Sequence, residues 1–192
     1  MALIELMQIP EGASLDLGCA GKARVGYLGV DMRATAASDF VFDFSVKIPC
    51  PPGWLSRINM HHSLEHISHR KALHVLKECN AALKVGGLIE IVVPQDAFWY
   101  HVNLVLYYLK RASNPDQLSA SQTFDGDYHR AGFTKSKLRD LLERAGFGAV
   151  QVRGMRKRED ESPEHQWGRF NLGWWIDNFI CASQLYAKAI KI

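Results

Sequence analysis

The chain has 192 residues, of which 47% are hydrophobic and 22% are charged, a composition typical of a folded domain and not of a disordered segment. This length fits one α/β domain, so we predict a single domain over residues 1–192. The longest apolar run, at residues 102–109, is much shorter than the ~20 residues of a membrane span. The N-terminus shows no secretory pattern. We therefore expect a cytoplasmic protein that does not enter a membrane.

The charges are nearly balanced along the chain. Lysine and arginine total 23 against 20 for aspartate and glutamate, a formal charge of +3, which disfavours a nucleic-acid partner. The densest basic cluster, at residues 153–158, is followed at once by the acidic residues 159–161, which largely neutralise it. The 4 cysteines are scattered, without metal-ligand or disulfide spacing, and are predicted to be reduced thiols.

The first half of the chain predicts four short strands and one helix. The helix is expected to begin after Ser68 as its N-cap, because Leu73 and Leu76 then share one face. The pair Gly86-Gly87 is expected to end it. The four predicted strands cover residues 14–18, 27–31, 40–44 and 57–62.

The second half alternates strands with helices. Residues 88–93 are apolar except for Glu90, which predicts a central strand covered on both faces. Thr134 is the expected cap of a later helix. This alternation predicts an open, mostly parallel sheet, in which ligands bind beyond the carboxyl ends of the strands. The other predicted elements are a helix at 98–111, a polar loop at 112–127, and strands at 147–152 and 181–192.

Residue types suited to a nucleoside follow the first three strands. Residues 18–21 form a turn of small side chains, which lets the backbone pass close to a ligand. Asp31 ends the second strand, where a carboxylate can accept hydrogen bonds from both hydroxyls of a ribose. Asp43-Phe44 places a carboxylate beside an aromatic ring, a pair suited to adenine. Each feature alone is also typical of an ordinary turn, but together they indicate a binding crevice.

Five segments carry a resemblance to a known family. They are LDLGCAG (15–21), YLGVD (27–31), HSLEHI (62–67), LKVGGLIEIVVP (83–94) and HRAGFTKSKLRDLLERAGF (129–147). In this order they resemble the motifs of class I S-adenosylmethionine-dependent methyltransferases. The resemblance implies a Rossmann-like sheet with helices on both faces, an antiparallel last strand, and a cofactor-binding core at about residues 10–152. Residues 153–192 are then a C-terminal loop, an aromatic segment and a final strand.

The resemblance also implies S-adenosylmethionine as the cofactor and S-adenosylhomocysteine as its product. Asp31 is then the ribose ligand, Asp43 and Phe44 contact the adenine, and His61 lines the pocket near the sulfonium. The residues implied to bind the cofactor are Asp16, Gly18, Cys19, Ala20, Gly21, Asp31, Met32, Asp43, Phe44 and His61.

Two departures from the family pattern concern the first motif. Ala20 stands where the family has the middle glycine. The residues between Gly21 and Asp31 are too few for a full crossover helix and a strand. A trimmed group within the family shows a similar shortening. A third departure, Val85 in place of the proline of the family's LKPGG turn, changes little.

Catalysis of methyl transfer requires few special groups, because the leaving thioether needs no proton and alignment supplies most of the acceleration. Where the acceptor must lose a proton, we expect His62 and His129 to act. Further candidates are Glu65, His66 and His101. His62 and His66 are four residues apart, as zinc ligands on a helix are, but a strand-to-helix junction is expected between them. We therefore predict no metal site, and packing at a helix start is the alternative for His66.

The acceptor pocket is expected beyond the fifth strand. Asp96, Trp99, Tyr100 and His101 follow that strand, where such a fold receives the methyl acceptor. Core packing is the alternative for the two aromatic rings. A second aromatic group, within residues 167–179, is expected to close the pocket or to form a homodimer interface.

The function predicted from the sequence is methyl transfer to a small-molecule or saccharide acceptor. Two alternatives stay open: methylation of a protein or a nucleic acid, and a methyltransferase-like module without catalysis. The second alternative rests on Ala20 and the short first crossover. Binding of the cofactor distinguishes an enzyme from a module that binds nothing.

Overall fold

The computed structural model describes residues 9–95, 130–155 and 184–192. These residues form one sheet, two α-helices and a short 3₁₀ turn at Leu64–His66. The helices are α1 (Ala72–Ala82) and α2 (Lys135–Arg144). The strands are β1 (Ser14–Leu17), β2 (Leu28–Asp31), β3 (Phe40–Val41), β4 (Leu55–His61), β5 (Leu83–Pro94), β6 (Phe147–Met155) and β7 (Gln184–Lys191).

The sheet has the strand order β3-β2-β1-β4-β5-β7-β6. Strands β1 to β5 pair in parallel, and β7 lies antiparallel between β5 and β6. The order reverses at β1, so the crevice expected for a ligand lies where β1 and β4 end. The predicted Rossmann-like architecture, a mostly parallel sheet with an antiparallel last strand, is confirmed.

One face of the sheet forms the hydrophobic core. A register row across β1, β4, β5 and β7 consists of Leu15, Ile58, Ile89 and Ala189, all without exposed surface. Helices α1 and α2 contribute their buried residues to the same cluster and pack against each other. Both helices that the structure describes therefore lie on this face.

The opposite face carries a row of polar residues. The same pairing aligns Asp16, Asn59, Glu90 and Lys188 across β1, β4, β5 and β7. Within residues 9–95 no helix joins β1 to β2 or β2 to β3. The described connections from β1 to β2 and from β2 to β3 therefore place no helix on this face, which accounts for a polar row in a central position.

Helix α1 differs from its prediction at both ends. Its N-cap is Lys71 and not Ser68, whose backbone oxygen accepts hydrogen bonds from the next turn. The helix ends at Ala82, and Gly86-Gly87 lie inside β5. The earlier end has a tertiary cause, because Leu83 is fully buried and already pairs with Leu55 of β4.

Other boundaries moved by a few residues. The third strand ends at Val41 and not at residue 44, because the Asp43 carboxylate accepts a hydrogen bond from the Ser45 amide at 2.8 Å and turns the chain. The cap of α2 is confirmed, since Thr134 Oγ1 accepts the Lys137 amide hydrogen at 3.2 Å. Strand β4 begins before its prediction, and β6 extends beyond it to Met155.

Several predicted features lie outside the described residues. They include the helix at 98–111, the loop at 112–127 and the aromatic group at 167–179. Within the described ranges, no helix is long and apolar enough to cross a membrane.

Candidate functional site

The turn after β1 is fixed against β2. The amides of Gly18 and Cys19 both donate to the backbone oxygen of Val30, at 2.8 and 3.0 Å. Gly18 has φ +81°, and a Cβ at this position would lie 2.5 Å from Ser63 Cβ. Glycine is therefore required both by the backbone angle and by contact with the segment that follows β4.

Asp31 connects this turn to the end of β2. Its Oδ2 accepts a hydrogen bond from the Ala20 amide at 3.0 Å, and its Oδ1 accepts one from the Arg33 amide at 3.1 Å. Ala20 has φ +49°, a left-handed conformation that glycine adopts without strain. Each carboxylate oxygen keeps a second lone pair, so Asp31 can accept two further hydrogen bonds.

Asp16 supports the turn from inside the sheet. It is buried, and its two oxygens accept from the Arg24 amide at 2.8 Å and from Asn59 Nδ2 at 2.7 Å. Cys19 points inward, with its thiol toward the Ala37 backbone oxygen. Burial, with the nearby Asp31, raises the pKa of this thiol. Cys19 therefore offers a ligand its backbone and not its sulfur.

The remaining residues expected to bind the cofactor divide into exposed and buried positions. Gly21 and Met32 are exposed, Met32 by 57%, and Asp43 is half-buried. Phe44 is only 5% exposed and belongs to the hydrophobic core. Its ring therefore does not offer a face to the crevice, and a contact with a ligand there falls to its backbone.

Two adjacent histidines stand where β4 ends. Their rings meet edge to face, with centroids 4.8 Å apart. His61 is the exposed last residue of β4, and His62 has φ +53°, an uncommon angle for a residue with a side chain. The backbone thus turns sharply at His62, as often happens beside a functional site.

The His62 ring is held from both sides. Its Nδ1 lies 3.0 Å from Glu65 Oε1, and its Nε2 lies 2.7 Å from the side-chain nitrogen of Gln184. Glu65 is 1% exposed, and none of the described residues donates to its Oε2. A histidine whose Nδ1–H is donated to a buried carboxylate has its tautomer and ring orientation fixed.

The histidine pattern does not assemble into a metal centre in the described part of the chain. No group of three His, Cys, Asp or Glu side chains is placed to hold an ion there. His66 lies in the 3₁₀ turn after His62, half-buried, and His69 is exposed. His62 forms an acid–histidine pair with Glu65.

The structure describes every residue predicted to bind the cofactor, together with His62. Ser63, Arg24 and Gln184 were missed because their contacts join distant parts of the sequence. Glu90 was noticed only as an acid in an apolar strand, which was the available signal. The predicted residues Asp96, Trp99, Tyr100, His101 and His129 lie outside the described ranges.

Solved structures share this architecture. An S-adenosylmethionine-dependent methyltransferase from Archaeoglobus fulgidus has 15% identity and a TM-score of 0.57, and the match covers 94% of this chain and 87% of that chain. One from Mesorhizobium loti has 16% identity and a TM-score of 0.52, with 95% and 94% covered.

A third structure contains a bound product. Phosphoethanolamine N-methyltransferase 2 from Haemonchus contortus, in complex with phosphomonomethylethanolamine and S-adenosylhomocysteine, has 14% identity and a TM-score of 0.53. The match covers 97% of this chain and 50% of that chain. No family model and no curated protein matches the sequence. The chain therefore has the fold of S-adenosylmethionine-dependent methyltransferases.

Proposed function

We propose that the protein transfers a methyl group from S-adenosylmethionine to a small-molecule or saccharide acceptor. The observation that carries this proposal is the hydrogen bond from the Ala20 amide to Asp31 Oδ2, at 3.0 Å. It joins the small-residue turn after β1 to the acid that ends β2. Both stand at the strand ends where an open α/β sheet binds its ligand.

The described residues fit such a cofactor. Asp31 has both oxygens at the crevice with lone pairs left for two ribose hydroxyls. The turn at residues 18–21 carries no side chain larger than that of Cys19, which points inward. A backbone of this kind can approach the methionine part closely. Asp43 and the backbone of Phe44 are then the groups for the adenine, and Met32 lies beside it.

The acceptor half of the site is expected among Asp96, Trp99, Tyr100 and His101. In this proposal His61 and His62, which lie at the end of β4, form one wall of the reaction region. S-adenosylmethionine, when bound, supplies an activated methyl group that moves by in-line displacement. The protein's part is to align the acceptor and to exclude water.

His62 is the described group best placed to take a proton. Glu65 orients its ring from the Nδ1 side, as a carboxylate does for a histidine base. Gln184 holds the Nε2 side, so His62 takes a proton there only after this amide contact opens. His129 is kept as the second proposed catalytic residue. An acceptor that is already deprotonated needs neither.

The test is calorimetric titration of the protein with S-adenosylhomocysteine. Asp31→Asn keeps the shape of the side chain and one acceptor oxygen but loses the charge. Since a hydrogen bond to a charged group contributes about 1.5–3 kcal/mol, affinity should fall about 10- to 100-fold. Asp140→Asn is the matched control: it changes an exposed carboxylate on α2 that pairs with Arg144, and it should bind normally.

The outcome separates the proposal from its alternatives. Binding that Asp31→Asn leaves unchanged contradicts the assignment of the ribose site. A wild-type chain that binds no S-adenosylhomocysteine contradicts the enzyme and favours the module without catalysis. Binding followed by methylation only of a protein or a nucleic acid contradicts the small-molecule acceptor.

A further inference from the structure

The connection between β1 and β2 has to be held without a helix. It spans residues 18–27, all described, and none of them is helical. Parallel strands are normally joined by a crossover that includes a helix packed on the sheet. Such a helix would also fix the turn that precedes it. Here the turn at residues 18–21 is proposed to bind the cofactor, so other contacts have to hold this turn in place.

Arg24 takes part in three contacts with the sheet. Its amide donates to Asp16 Oδ2 of β1 at 2.8 Å. Its guanidinium Nη1 donates to Asn59 Oδ1 of β4 at 3.0 Å and to Glu90 Oε2 of β5 at 2.9 Å. A single residue of the crossover is thereby attached to three neighbouring strands. Arg24 therefore holds the chain just after the turn at residues 18–21, and Gly18 holds the start of that turn.

Glu90 is the centre of this network. Besides Arg24, Tyr27 donates to its Oε2 at 3.4 Å and Tyr186 of β7 donates to its Oε1 at 2.7 Å. The Glu90 side chain is only 13% exposed, so its charge is costly unless donors satisfy it. Burial, together with Glu90, raises the pKa of Tyr186, which keeps the hydroxyl protonated as a donor. The Arg24 guanidinium also lies over the Tyr27 ring, 5.1 Å from its centroid.

We propose that Glu90 is a positioning residue for the cofactor-binding turn, which it holds through Arg24 in place of a crossover helix. A satisfied polar network fixes one arrangement, because any displaced member leaves a buried charge or dipole unpaired. The network reaches the turn from one side, and the Val30 oxygen and Asp31 hold it from the other. The identity of the ligand rests on the proposed function. The contacts between Glu90, Arg24 and the sheet do not depend on it.

The test uses Glu90→Gln, which keeps the side-chain shape and removes the charge opposite Arg24. Hydrogen exchange in the ligand-free protein is followed by mass spectrometry in peptides covering residues 18–24. We expect exchange there to rise about tenfold while α1 and α2 keep wild-type protection. The dissociation constant for S-adenosylhomocysteine should rise by a similar factor.

Three further variants sharpen the test. Glu143→Gln removes an exposed carboxylate on α2, outside this network, and should change neither readout. Arg24→Met should reproduce the effect of Glu90→Gln. Arg24→Lys keeps the positive charge but loses the planar guanidinium that bonds Asn59 and Glu90 and lies over Tyr27, so it should restore only part of the protection.

Two results overturn the proposal. One is unchanged exchange at residues 18–24 in Glu90→Gln. The other is a rise spread evenly over the whole sheet, which indicates a merely structural role. If the wild-type chain binds no S-adenosylhomocysteine, the proposed function fails, and the exchange measurement still decides the role of Glu90.

Discussion

Replacing Gly18 with alanine tests the contact between the turn after β1 and the segment after β4. Gly12 provides a matched control, because its φ of +74° is close to the +81° of Gly18. A Cβ on Gly12 would meet nothing within 4 Å, whereas a Cβ on Gly18 would lie 2.5 Å from Ser63 Cβ. Both variants therefore carry the cost of a left-handed backbone angle, and only Gly18→Ala adds the clash with Ser63 Cβ.

The magnitudes follow from these two contributions. A left-handed angle costs an L-residue about 1–2 kcal/mol, and the gain in backbone stiffness offsets about 0.4–1 kcal/mol of it. Gly12→Ala should therefore lower the free energy of unfolding by about 1 kcal/mol. Gly18→Ala carries a further overpacking cost of about 1–3 kcal/mol, because Ser63 Cβ is attached directly to the backbone and cannot swing away.

The assay is equilibrium unfolding in urea, with the slope checked for each variant. Ser63→Gly removes the atom that the new Cβ would meet. When Gly18→Ala is made in the Ser63→Gly protein and compared with that protein, it should therefore cost only the backbone penalty. The resulting double-mutant cycle isolates the contact. If Gly18→Ala and Gly12→Ala agree within about 0.5 kcal/mol, or if Ser63→Gly restores nothing, the reasoning is refuted.

Three further predictions concern the helix cap, the thiols and metal dependence. Thr134→Ala should lower the free energy of unfolding by about 1 kcal/mol, because it removes the cap of α2. Ser68→Ala removes no cap and should change this free energy by less than about 0.5 kcal/mol. Equal effects in urea unfolding would contradict the assigned caps. Burial raises the pKa of Cys50 from 9.0 to about 11, so the unfolded chain releases this proton first and stability should fall as pH rises from 9 to about 11. Cys50→Ala should reduce that fall, and an identical pH profile in both proteins would argue against the burial. Extensive chelation should leave the affinity for S-adenosylhomocysteine unchanged, and stoichiometric metal at His62 in the purified protein would overturn this prediction.

Local patterns in the sequence predicted the ends of β1, β2 and β4 closely, but not the end of β3. Asp31 is the last residue of β2, and the small residues 18–21 follow β1. Parallel strands present their carboxyl ends at one edge, so chain order alone brought these residues together. The hydrogen bond from the Ala20 amide to Asp31 joins two of these strand ends.

The polar network escaped prediction because its members are far apart in sequence. Asp16 and Asn59 are separated by 43 positions, and Arg24 and Glu90 by 66. Only the strand register aligns them, and the register cannot be read from the local sequence pattern of each strand. The same cause shifted the end of α1: Gly86-Gly87 have the residue type of a helix stop, but pairing of Leu83 with Leu55 ends the helix before them.

The polar row and the short crossover are consequences of one another. A crossover helix would require apolar residues at the positions of Asn59 and Glu90, because a helix buries the sheet face that it covers. Without the helix, those positions face a short connection, and charged and polar groups can hold that connection to three strands at once. Glu90, the lone acid of β5, is therefore the feature in the sequence that marks the missing helix. A chain of this fold with a full crossover should carry an apolar residue at the position of Glu90.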